Sequence, residues 1–139
     1  MRTVLPLLAA TGLALASTAA HADITIYKGG SRWAEIESDG DVFIGGSRKG
    51  EIEDDGDIYV GGSRKGEIES DGDLYLGGSR KGEIESDGDL YLGGSRIGEI
   101  ESDGDIIIKG SRWGEARGCS SAADRQKVFA VLVAFGGLS

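Results

Sequence analysis

The chain has 139 residues, with 24 acidic against 15 basic side chains and a formal net charge of −9 at pH 7. That balance argues against a nucleic-acid partner, because such binders present a basic stripe. Beyond residue 22 there is no His, Met or Pro, which removes His-based nucleophile pairs and imidazole metal sites.

The N-terminal segment reads as a secretory signal peptide. Met1-Arg2 gives a small positive start, residues 4–16 are mostly apolar, and Ala20-His21-Ala22 is a small-x-small cleavage signal. The apolar run is shorter than the ~20 residues a membrane-spanning helix needs. Cleavage after Ala22 is expected, and with it a periplasmic or secreted location. Asp23 then opens both the exported chain and its first repeat.

Residues 23–118 are repetition. Ser31, Ser47, Ser63, Ser79, Ser95 and Ser111 recur every 16 residues, each followed by Arg, so six units tile the segment without a gap. A typical unit carries two turn signals, Asp71-Gly72 and Gly77-Gly78, both suited to two-residue hairpin loops with positive φ. The pieces between them, "DLYL" and "SRKGEIES", read as short strands. Placing the turn at Asp71-Gly72 sets Glu69 opposite Leu74 and Ile68 opposite Tyr75. Ile68, Tyr75 and Arg80 then share one face, and Glu67, Glu69, Leu74 and Leu76 the other. Neither face is purely apolar, so an open half-buried sheet fits badly. A closed ring of short antiparallel hairpins fits better, and closure removes the exposed edges. The expected class is all-β, with a short C-terminal apolar segment.

The "GSRxGEIESDGDxY" repeat behind a signal peptide, followed by an apolar tail, resembles the bacterial β-flower proteins, most of all their five-fold group. The resemblance covers Asp23 to about Gly118. It implies hairpin petals radiating around a shallow barrel, and it carries no activity or catalytic residue. Five complete hairpins, centred on the Asp-Gly pairs from Asp39-Gly40 to Asp103-Gly104, suit five-fold closure; the six tiled units leave six-fold closure open. A nine-residue calcium β-roll period does not match, and a parallel solenoid has no need of two hairpin turns per unit.

Three sets of residues are candidates for function. Arg32, Arg48, Arg64, Arg80, Arg96 and Arg112 form a circle in any closed ring. They suit an anion or lipid head group, or simply pair with nearby Glu and Tyr. The residue after each Arg is Trp33, Lys49, Lys65, Lys81, Ile97 and Trp113. Closure makes Trp33, Ile97 and Trp113 neighbours, an apolar seam that either packs the junction or docks a partner. The acidic turns read as turn chemistry and a solvated rim, with no metal or cofactor assigned.

Residues 119–139 change composition abruptly. Ser121 suits an N-cap, residues 122–135 a helix and Gly136 its end, although three Val and two Phe also suit a strand. The segment plugs the ring, lies on the Trp seam, dips into a membrane or joins a second copy. Val128, Phe129, Val131, Leu132, Val133 and Phe135 are its candidate contacts with a membrane or partner. The ring is expected to stand without it. Cys119 is either a tolerated thiol or half of an intermolecular disulfide. The sequence thus points to a non-enzymatic binding module that meets a lipid, small ligand or protein, or else to a self-associating envelope scaffold.

Overall fold

A computed structural model describes residues 23–138; the signal-peptide reading lies outside them. Each 16-residue unit supplies a short strand and a longer one. They are β1 (Ile24–Lys28) and β2 (Ser31–Ile36), β3 (Asp41–Ile44) and β4 (Ser47–Ile52), and β5 (Asp57–Val60) and β6 (Ser63–Ile68). After them come β7 (Asp73–Leu76) and β8 (Ser79–Ile84), β9 (Asp89–Leu92) and β10 (Ser95–Ile100), and β11 (Asp105–Ile108) and β12 (Ser111–Arg117). Every strand pairs antiparallel with its sequence neighbours, and β1 pairs with β12, so the twelve strands form a closed barrel. All six units take part, and closure is therefore six-fold. The site of a sixth Asp-Gly turn is where the chain enters and leaves the barrel.

The two turns of a unit differ. Gly77 and Gly78 have φ of 63° and 81°, and Leu76 lies opposite Ser79, which is the expected two-residue hairpin loop. The Asp-Gly turn is one residue longer than the sequence suggests. Gly72 N donates to the Glu69 carbonyl at 2.9 Å and Glu69 N to the Asp73 carbonyl at 2.8 Å, so Ser70, Asp71 and Gly72 make a three-residue loop. Gly72, at φ 97°, is its bulge residue.

This extra residue corrects the expected register. Ile68 faces Leu74 rather than Tyr75, and Glu67 faces Tyr75. Because side chains alternate with period two, a one-residue slip moves a whole strand to the other face. Leu74 joins Ile68 inside the barrel, while Glu67, Tyr75 and Arg80 lie outside. The mixed faces deduced from the shorter turn resolve into one apolar lining and one polar exterior.

A bulge follows each hairpin tip. Tyr75 pairs with Arg80 and Leu74 with Gly82, which leaves Lys81 outside the register. The same slip isolates Trp33, Lys49, Lys65 and Ile97, and likewise Trp113. The position at which Trp, Lys and Ile interchange is thus the bulge residue of the repeat. Its carbonyl joins neighbouring units, as when Lys65 O accepts from Gly77 N at 2.9 Å.

The tail is a helix, α1 (Ala122–Ala134), capped where Ser121 Oγ accepts from Asp124 N at 3.1 Å. Val128, Phe129, Ala130, Val131 and Leu132 are all 0% exposed. Five successive residues, about 100° apart, point in every direction around a helix axis, so the helix is enclosed on all sides. It threads the barrel and shares one core with the inward Ile, Leu and Val side chains of the strands. At its start Gln126 donates to the Ser70 carbonyl (3.0 Å) and Arg125 to that of Ser86 (3.3 Å), both on Asp-Gly turns. Beyond its end, Gly137 lies against the Trp33 ring near the tips. Of the readings open for this segment, the plug is the one adopted. The helix fills the centre of the core, which argues against the expectation that the ring stands without it.

Candidate functional site

The barrel has two chemically opposite mouths. At the Asp-Gly mouth, five turns each carry a Glu-Asp-Asp set such as Glu69, Asp71 and Asp73, with one oxygen of each within 4.8 Å of the others. Two of the three carboxylates in that set have partners. Asp71 Oδ1 accepts from Asp73 N at 3.1 Å, which tightens the turn, and Asp73 Oδ1 accepts from Arg80 at 2.9 Å. The positive end of the α1 macrodipole points towards this acidic mouth, and Lys127 Nζ approaches Asp54 at 3.9 Å.

The arginines are held by carboxylates. Arg80 bonds both Asp73 (2.9 Å) and Glu83 (2.8 Å), and Arg48, Arg64, Arg96 and Arg112 repeat the pattern. Arg32 pairs with Glu35; the position seven residues earlier, Asp in the other units, is Thr25. Each doubly paired guanidinium faces two carboxylates, so its surroundings carry net negative charge and repel an anion. The circle of arginines exists, and its geometry is that of inter-strand ion pairs rather than of an anion site.

These charges set the response to pH. Partial desolvation and then neighbouring carboxylates hold Glu37, Glu53, Glu69, Glu85 and Glu101 above the usual glutamate range. The hydrogen bond from Arg96 holds Asp89 below the usual aspartate range. A raised carboxyl stabilises the fold fully below its unfolded pKa, and that stability is lost as pH rises through the folded one. A depressed carboxyl contributes above its unfolded pKa, and its share is lost as pH falls through the folded one. The melting temperature should therefore climb as pH falls from 7 towards the ordinary glutamate range, and turn down again once pH drops below the ordinary aspartate range. A steady decline from pH 7 downward in calorimetric scans would contradict this.

The tip mouth is apolar and cationic. The Trp33 and Trp113 rings meet edge-on with centroids 5.8 Å apart and planes at 87°. The chain ends therefore close through these two rings, as expected, with Ile97 half-buried against the same core. Lys28 Nζ sits 5.6 Å from the Trp113 centroid and the Arg117 guanidinium 4.4 Å from that of Tyr27, so two cation–π contacts also mark the junction. Trp33→Lys should cost about 2 kcal/mol in urea melts, less than a fully buried Trp because the ring is only half-buried. Lys65→Ala, at the equivalent bulge, should stay within about 0.5 kcal/mol.

Away from the junction the same mouth is open. Val60, Leu76, Val133 and Ala134, with Arg64 and Lys65, line a shallow recess of about 470 Å³. Ile44, Val60, Ala134 and Phe135, with Lys49, line a second of about 510 Å³. The tail contacts expected from the sequence divide here. Val128, Phe129, Val131 and Leu132 are sealed inside the barrel and have no surface to offer, whereas Val133 and Phe135 are half-buried at the mouth. The half-buried Ile44, Val60, Leu76, Leu92 and Ile108 escaped the sequence reading. Their signal was available: each directly precedes a tip turn, and that position is aliphatic in five of the six units. Burial pushes the Cys119 thiol up to about 12, which suits a tolerated thiol rather than a reactive one.

No family model, curated protein or solved structure matches the chain.

Proposed function

We propose that the chain is an exported, non-catalytic binding module of the cell envelope, related to the β-flower proteins it resembles, which meets its partner through the tip mouth. The observation that carries this reading is the pairing of two features on one mouth. Half-buried aliphatic side chains and Phe135 form an apolar floor, and Lys49 and Lys65 border it, on a molecule whose other mouth is acidic. Single exposed apolar residues are ordinary on a protein surface, whereas a contiguous patch with a charged border marks a contact site. Sixfold repetition favours binding over catalysis, since catalysis sets differently tuned groups side by side.

Native mass spectrometry of the protein extracted from its own envelope tests this reading. The wild type and an Asp71→Asn variant should both carry an additional bound species. A variant with Val133→Ser and Leu76→Ser on the tip mouth should lose it. An equal load on all three proteins would place the contact elsewhere. A uniform homo-oligomer without any other species would favour the scaffold reading instead.

A further inference from the structure

Resting on that reading of the tip mouth, we infer that its partner is the surface of an anionic lipid bilayer. The recesses at this mouth are shallow, and the cationic groups they offer a partner are Lys49 and Lys65, since the Arg64 guanidinium beside them is already held by Asp57 and Glu67. Such a face has little with which to read a defined hydrogen-bonding pattern, yet it suits a partner that is apolar below and anionic above. Lysine stems can lie along the aliphatic floor while their ammonium groups reach a layer of phosphates.

The third internal bulge repeats the chemistry: Lys81 is exposed, and its carbonyl accepts from Gly93 N at 3.0 Å, just as Lys65 accepts from Gly77. Three lysines therefore occupy successive units around one mouth. The junction supplies Trp33 and Trp113 at the same level, the amphipathic residue type enriched where membranes meet water.

Charge also sets the orientation. The acidic turns occupy the opposite mouth, so an anionic surface repels that end and attracts the tips. Tip-to-tip pairing of two copies is disfavoured, because it would bring the lysines of both copies together. The contact is peripheral: among the described residues no helix is long and apolar enough to cross a membrane, and α1 is enclosed by its own barrel.

The test is co-sedimentation of the exported protein with two sets of vesicles, phosphatidylcholine alone and phosphatidylcholine mixed with phosphatidylglycerol. The wild type should pellet with the mixed vesicles only, release as salt is added, and shift its tryptophan emission to shorter wavelength on binding. Each surface lysine contributes roughly fivefold to partitioning onto an anionic surface. Lys49→Glu, Lys65→Glu and Lys81→Glu together should therefore weaken binding at least about a hundredfold, with the circular dichroism spectrum and melt unchanged. Equal pelleting of the triple variant, or no pelleting of the wild type with anionic vesicles, would overturn the lipid assignment. If native mass spectrometry still shows a tip-dependent bound species in that case, the docking mouth stands and only its occupant was misassigned. If it shows none, both readings fall.

Discussion

A chain ending at Gly118 should lose cooperative folding. Removing α1 takes away Val128, Phe129, Val131 and Leu132, all 0% exposed. At about 1.5–3 kcal/mol for each buried large side chain, the loss is ~6–12 kcal/mol. A domain of this size is stable by only ~5–15 kcal/mol. The barrel would also be left with an apolar lumen, lined by residues such as Ile52, Ile68 and Leu74, that neither packs nor hydrates well. The expected result is a broad, low thermal transition with dye binding to exposed apolar surface. Phe129→Ala in the full chain should fold but cost ~3–5 kcal/mol. A truncated chain that melts sharply, within a few degrees of the full one, would show that the strands carry the fold alone.

The architecture of the strands was legible because period and turn chemistry act locally. Gly77-Gly78 needs positive φ wherever it occurs, and the 16-residue period places six tips around a ring. The junction was legible too: Trp33 and Trp113 depart from Lys where the first and last units lack ordinary neighbours. Register was harder. Asp71-Gly72 suits a two-residue loop and, as the last two residues, a three-residue one, and only the pairing of Ile68 with Leu74 separates them. The helix's destination was beyond local reasoning, because an all-round apolar stretch suits a barrel lumen, a membrane or another chain equally well. What decided it is the inward face of the barrel, and that face emerged only once the register was correct. The tip mouth was misjudged for the same reason. Val128 to Leu132 drew attention through hydrophobicity, while Leu76, one of the aliphatics that reach the surface, was placed on a mixed face beside Glu67 and Glu69.

Gly72→Ala should be among the most damaging single substitutions in the chain. Two independent constraints meet at this residue. Its φ of 97° is a conformation that L side chains rarely adopt, and such strain costs ~1–3 kcal/mol. A methyl group there would also lie 2.0 Å from the Ile84 carbonyl oxygen. That oxygen belongs to a strand of the closed barrel, so it cannot swing aside as a side-chain terminus can. Relief requires opening the seam where Ile84 N donates to the Gly72 carbonyl at 2.9 Å. The combined cost should be about 3 kcal/mol or more, taken as overpacking added to backbone strain. The tip provides the control. Gly77 also has positive φ, 63°, but nothing lies within 4 Å of a Cβ built there, and Lys109 occupies the equivalent tip of the last unit at φ 53°. Asn tolerates this region better than most residues, so Gly77→Asn should cost no more than about 1 kcal/mol. Urea melts of the two variants measure the contrast directly. Similar midpoints for both would mean that the Asp-Gly mouth yields as easily as the tips, and that its three-residue loop does not set the register.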